Sequence, residues 1–212
     1  MFTATAITIF SLIVLLFSVI IHELAHGYVA YSLGDPTAKY AGRLTLNPLK
    51  HLDPFGSVIL PLLLLIATGG QGPIFGWAKP VPINPYNFKD QKWGTLKVAI
   101  SGPATNFAIA IIFGLVIRFF NFPFLNPLMQ LLGIVVFYNF LWGIFNLVPI
   151  PPLDGHWILF RFLPRWEKGK MFFQQYGLFI LIFFIFFGGL TGLGILAQLL
   201  YNLVAGAGFP LF

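Results

Sequence analysis

The stretch Ile21-His22-Glu23-Leu24-Ala25-His26-Gly27 decides how the chain is read. It is a His-Glu-x-x-His sequence at the end of an apolar run that begins near Thr3. On a helix, positions i and i+4 share a face, so the imidazoles of His22 and His26 can meet at one ion with Glu23 beside them. That is the arrangement of a zinc site with an adjacent general base. Ionisable groups are expensive inside a bilayer and mark function where they occur there. The position of the motif therefore carries as much weight as the motif.

Working outward, the composition is that of an integral membrane protein. Of 212 residues, 58% are hydrophobic and 8% charged, against about 25% charged in soluble domains. Mean hydropathy is +0.88. Twelve basic residues face six acidic ones. In a chain this apolar the excess reads as loop charge that sets orientation, and no nucleic-acid partner is expected. Cysteine is absent, which excludes a disulfide framework, a thiol nucleophile and a cysteine zinc site. No polar stretch is long enough for a second domain, so residues 1–212 are read as a single integral-membrane domain. The first apolar run lacks a basic leader and a small-residue cleavage site and is expected to be a retained helix.

The expected fold is an all-α polytopic membrane protein with about five transmembrane helices, a re-entrant or interfacial segment and room for a short β-hairpin. The first helix should cover residues 4–32 and stop at Gly34-Asp35-Pro36. Alternation over Ala38–Leu46 suggests strands. Residues 56–68 are apolar but short and contain Pro61, which suits a re-entrant segment better than a span. Residues 69–96, with Trp77 and Trp93, read as an interfacial loop. Further spans are expected at 97–120, 128–147, 172–188 and, shorter, 190–206. A turn at 121–127 and an amphipathic helix at 156–163 complete the pattern.

A catalytic zinc site takes three protein ligands and keeps one position open. Asp154 is the strongest third ligand: it follows a span directly, behind Pro149-Ile150-Pro151-Pro152 and before Gly155. Parity tests this choice. If 56–68 crossed fully, Asp154 would lie on the opposite side from His22 and His26. If it is re-entrant, Asp154 returns to their side. Charge favours the second arrangement, because the loops 33–97 and 149–170 then share a side and hold every basic residue except Arg118. The positive-inside rule makes that side cytoplasmic.

Three stretches together resemble the site-2 proteases, intramembrane zinc metalloproteases: His22-Glu23-Leu24-Ala25-His26-Gly27, Ser101-Gly102-Pro103-Ala104-Thr105-Asn106, and Asn146-Leu147-Val148-Pro149-Ile150-Pro151-Pro152-Leu153-Asp154-Gly155. The resemblance covers a catalytic core of about residues 5–165, with C-terminal helices at about 172–206, and a compact form without PDZ or CBS domains. It implies His22, His26 and Asp154 as ligands of one Zn²⁺ per chain and Glu23 as the catalytic residue. His156 departs from the second glycine that many relatives carry; it either lines the site or packs. Asn106 could bond the substrate or oxyanion, or join two helices. Asn146 could orient a ligand or substrate, or bond backbone. His51 reads as an ordinary interfacial residue.

The function expected is an intramembrane zinc endopeptidase in the cell membrane, its site toward the cytoplasm, acting on membrane-spanning proteins or peptides within the lipid bilayer. A metal transporter or a non-catalytic scaffold is the competing class. Transport would call for polar groups spread along several helices. Substrate identity and oligomeric state are not written in the sequence.

Overall fold

The computed structural model describes residues 3–68, 78–120, 126–163 and 165–206. Eight helices occur in this part: α1 (Ala4–Ser32), α2 (Thr37–Tyr40), α3 (Leu60–Thr68), α4 (Gly94–Phe119), α5 (Asn126–Leu147), α6 (Gly155–Phe162), α7 (Glu167–Phe186) and α8 (Gly189–Ala205). Four of them, α1, α4, α5 and α7, are long and apolar enough to cross a membrane, and α8 is a shorter apolar helix. The chain is an all-α, multi-pass membrane protein, with boundaries within a few residues of those expected. Large apolar side chains such as Ile9, Leu12, Phe17, Phe179, Phe183 and Phe186 remain exposed on α1 and α7, as a lipid-facing surface requires.

α1, α4 and α5 pack on one another and α8 packs on α4 and α5. The interior of this bundle holds Ala110, Ile117, Met129, Val136, Phe140, Ile144, Ala197 and Tyr201. α1 and α4 run antiparallel, since Ser18 meets Asn106 and, eight residues on, His26 meets Val98.

The alternation in Ala38–Leu46 does not produce strands. Residues 37–40 form α2 and the next residues turn; among the described residues only an isolated antiparallel bridge, Leu52 to Ala78, is β-like. The local cause is Asp35, whose carboxylate accepts the Thr37 N–H at 3.1 Å and its hydroxyl. This closes an Asx turn that starts a helical turn instead of an extended strand.

Residues 54–68 form one continuous helical segment, a π-helical turn over Pro54–Ile59 leading into α3. Asp53 starts it by accepting the Gly56 N–H at 2.6 Å. At 1.5 Å per residue it reaches only about 22 Å, less than the roughly 30 Å of hydrocarbon. The expected loop at 69–96 is described from residue 78 onward; 69–77, with Trp77, lies outside the described residues, as does most of the turn expected at 121–127.

From Ala78 to Lys89 the chain runs as a strap along the end of α1. The Lys79 N–H donates to the His51 carbonyl at 2.8 Å and the Lys89 N–H to the Leu33 carbonyl at 2.8 Å. Its keystone is Asp35, fully buried, which accepts the Asn84 N–H at 2.7 Å and the Asn87 side-chain amide at 2.8 Å. Burial opposes the charge on Asp35, yet the hydrogen bonds from Thr37, Asn84 and Asn87 hold its carboxyl below the ordinary 3.8. Its contribution to stability is therefore present above that value and is lost as pH falls through its own lower pKa. Asp35→Ala leaves four donors without an acceptor and is expected to lower stability by about 3 kcal/mol. Thermal denaturation in detergent at neutral pH measures this, and a loss near zero would remove Asp35 from the keystone role.

Candidate metal centre

His22 and His26 project from one face of α1, four residues apart, and both are buried. Asp154 arrives from the loop that follows α5. Its turn is tight: a Cβ at Gly155 would stand 2.2 Å from the Leu147 carbonyl oxygen, so only glycine lets the chain fold back there. The three side chains form a cluster whose ligand atoms all lie within 4.8 Å of one another. His22 Nε2 and His26 Nε2 are 3.0 Å apart, and they lie 3.0 and 3.1 Å from Asp154 Oδ2.

The remaining ring nitrogens show which protons are present. His22 Nδ1 is 2.7 Å from Asn106 Oδ1, and His26 Nδ1 is 2.7 Å from the Val98 carbonyl oxygen. Both partners are acceptors only, so each histidine donates from Nδ1 and turns a lone pair outward at Nε2. Two lone pairs and a carboxylate then converge within about 3 Å. One proton cannot satisfy three acceptors, whereas a cation among them does. Ligands at about 2.0–2.1 Å in a tetrahedral zinc site lie about 3.3 Å apart, close to the separations here. Three ligands leave the fourth position open, the pattern of a catalytic zinc site. The donor set fits the ion.

α4 comes close enough to close the cluster because residue 102 is glycine. A Cβ there would stand 2.5 Å from His26 Nε2 and 2.6 Å from His22 Nε2. Ser101 Oγ donates to the same Val98 carbonyl at 2.7 Å and lies 3.3 Å from His26 Nδ1.

Glu23 lies beside the cluster but outside it. Its Oε2 accepts the Val81 N–H at 2.8 Å. Val81 sits between Pro80 and Pro82, which carry no N–H, so this is the one donor the strap offers at that point.

The other sequence-derived residues divide. Asn106, fully buried, holds His22 by Oδ1 and spends its amide hydrogens on the Ser18 carbonyl at 3.3 Å and on Asn139 Oδ1 at 2.9 Å. Both amide hydrogens are thus engaged between α1, α4 and α5. Asn146 donates to the Trp142 carbonyl of its own helix at 3.0 Å. His156 Nδ1 donates to the Leu153 carbonyl at 2.6 Å and packs its ring against Trp157 and Phe160; burial pushes its pKa below the ordinary histidine value, so it sits there neutral. His51 is buried, with Nε2 on the Thr45 carbonyl at 2.8 Å. Asn139, Val81 and Asp35 have no motif to announce them, and only the buried-polar signal in an apolar helix could have marked Asn139.

The comparisons identify the family of the chain. The profile described as "Peptidase family M50" matches residues 10–130 and 123–188. The chain is 42% identical over 166 residues to YwhC of Bacillus subtilis, a candidate zinc metalloprotease by name, covering 75% of this chain and 71% of that one. It is 31% identical over 172 residues to Rip2 of Mycolicibacterium smegmatis, likewise named as a candidate zinc metalloprotease, covering 79% of this chain and 62% of Rip2. It is 30% identical over 156 residues to the zinc metalloprotease MJ0392 of Methanocaldococcus jannaschii, covering 73% of this chain and 34% of the relative. The match thus spans less than two thirds of the latter two proteins. No solved structure matches the chain at a significant level. The profile matches most of the chain, and the protein belongs to peptidase family M50.

Proposed function

We propose that the protein is a zinc endopeptidase that cuts membrane-embedded proteins at a site open to the cytoplasm. The observation that carries this is the convergence of His22 Nε2, His26 Nε2 and Asp154 Oδ2 in a multi-pass chain of the M50 peptidases. His22, His26 and Asp154 hold the ion, and Glu23 is the general base.

Zinc, when bound, supplies a Lewis acid that polarises the scissile carbonyl and acidifies water. The chain's own residues do the rest. The Val81 N–H holds Glu23 Oε2, so Oε1 takes the proton from the attacking water and delivers it to the amide nitrogen that leaves. Asn106 and the Val98 carbonyl keep both imidazoles aimed. A groove of about 530 Å³ runs beside the motif, lined by Ile21, Leu24, Ala25, Tyr28, Leu44, Thr45, Leu46 and Thr105. Its apolar walls suit the side chains of a membrane segment. Residues 44–46 have no strand partner among the described residues and lie along the groove, where an unwound substrate would run beside them.

The length of α1 and the charges of the loops support a depth and a side for the site. His22 lies eighteen residues beyond Ala4, about 27 Å along α1, near the far boundary of the hydrocarbon. The loops on that side carry all basic residues but Arg118, which supports a cytoplasmic opening. Among the described residues, the buried polar groups Ser18, His22, His26, Asn106 and Asn139 are joined by hydrogen-bond contacts around the cluster. A transport path would instead string them across the bundle.

The test is cleavage of a membrane-protein extract by the purified protein in detergent. Products should disappear with a chelator and return with zinc, and mass spectrometry should place the cuts inside apolar segments. Cuts confined to soluble loops would overturn the intramembrane reading, and chelator-resistant cleavage would overturn the metal.

A further inference from the structure

Asn139 lies in the middle of α5, buried to 2% exposure, and touches neither the ligand cluster nor Glu23. We infer that Asn139 is a positioning residue that selects the tautomer of His22 through Asn106.

A carboxamide is nearly symmetric in shape, and which end faces a partner is decided by the hydrogen bonds around it. If Asn106 were flipped, its Nδ2 would face His22 Nδ1. The ring would then have to accept at Nδ1 and carry its proton at Nε2, the atom turned toward His26 and Asp154. The lone pair at the cluster would be gone. Two acceptors prevent the flip by drawing Nδ2 to the other side: the Ser18 carbonyl at 3.3 Å and Asn139 Oδ1 at 2.9 Å. The second is the shorter contact. Asn139 is itself locked, because its own Nδ2 donates to the Val135 carbonyl at 2.9 Å. Backbone carbonyls cannot flip. The chain Val135 carbonyl, Asn139, Asn106, His22 thus passes a fixed direction from α5 through α4 to α1. Burial keeps water from substituting at either asparagine, so without Asn139 only the longer Ser18 contact would hold Asn106 in its orientation.

His26 provides the contrast. Its Nδ1 bonds the Val98 carbonyl directly, and its tautomer needs no asparagine. Loss of Asn139 should therefore disturb one ligand of the pair and spare the other, which a general loosening of the bundle would not do.

The consequence for metal affinity rests on the proposed ligand role of His22; the tautomer itself does not. The test uses the full-length protein in detergent, labelled with ¹⁵N-histidine and stripped of metal. Four histidines make the spectrum assignable. In the wild type, His22 and His26 should both carry the proton on Nδ1. In Asn139→Leu, which removes the acceptor at similar volume, His22 should show a large fraction protonated at Nε2 while His26 is unchanged, and zinc affinity by chelator competition should fall about tenfold. In Asn139→Asp, burial keeps the carboxyl protonated. It then still accepts from Asn106 and donates to Val135, and should keep the wild-type tautomer and affinity. If the leucine variant does not fold, Asn139→Ser, whose short hydroxyl cannot span to Asn106, is read in the same way. An unchanged His22 tautomer with unchanged affinity in a folded variant lacking the acceptor overturns the proposal. Equal disturbance of His22 and His26 overturns it too. A wild type that binds no zinc overturns the ligand reading, while the tautomer measurement still decides the role of Asn139.

Discussion

Glu23→Gln should slow peptide cleavage by a factor of about 10²–10⁴ and leave zinc in place. The glutamine oxygen can still accept the Val81 N–H that Glu23 Oε2 accepts at 2.8 Å, so the strap has no reason to move. What is lost is the second oxygen as a base, since an amide nitrogen cannot take the proton from water. The ion stays because its three candidate ligands, His22, His26 and Asp154, do not include position 23. Initial rates on a membrane-embedded substrate, read beside metal content per chain, separate the two effects. Wild-type activity in this variant would remove Glu23 from the mechanism. Loss of zinc with the substitution would instead put the carboxylate in the ligand set.

Gly102→Ala is the second large effect, and it runs against local propensity. Alanine within a helix is favoured over glycine by about 1 kcal/mol, so α4 taken alone should gain. The new Cβ, however, would stand 2.5 Å from His26 Nε2 and 2.6 Å from His22 Nε2. Neither ring can swing away freely, since His22 is held at Nδ1 by Asn106 and His26 by Val98. Either those bonds break or α4 withdraws from α1, and in both cases the three ligand atoms separate. Zinc affinity should fall by at least about 100-fold, the upper range for loss of a ligand's supporting bonds. Isothermal titration or chelator competition on the folded variant measures this. An alanine variant that keeps wild-type affinity would mean the helices adjust without cost and that the close approach is incidental.

These two positions show how differently the site was legible. His22, Glu23 and His26 lie within five consecutive residues, so helix periodicity alone brings the imidazoles to one face, and the apolar run ahead of them sets their depth. Asp154 is separated from them by more than a hundred residues, yet parity and loop charge could reach it, because a membrane reduces three-dimensional search to counting crossings. The spanning helices were readable for the same reason: an apolar stretch in lipid must satisfy its backbone internally and so becomes a helix.

Where lipid does not impose that rule, the sequence was a weaker guide. Ala38–Leu46 alternates like a strand but is turned by the carboxylate of Asp35, a tertiary hub whose other partners, Asn84 and Asn87, lie some fifty residues on. The strap from Ala78 to Lys89 and its Val81 bond to Glu23 have no local pattern at all.

By itself, then, the sequence determined the class of fold and the long apolar helices, and it put two histidines on one helix face, because hydropathy and i,i+4 spacing are properties of short segments. Only the tertiary structure decided which atoms the histidines turn toward Asp154. That depends on Asn106, Asn139 and the Val98 carbonyl on neighbouring helices, and on the missing side chain at Gly102. Hydrogen-bond direction and steric room are relations between segments, and the His22–His26 motif carries no record of either.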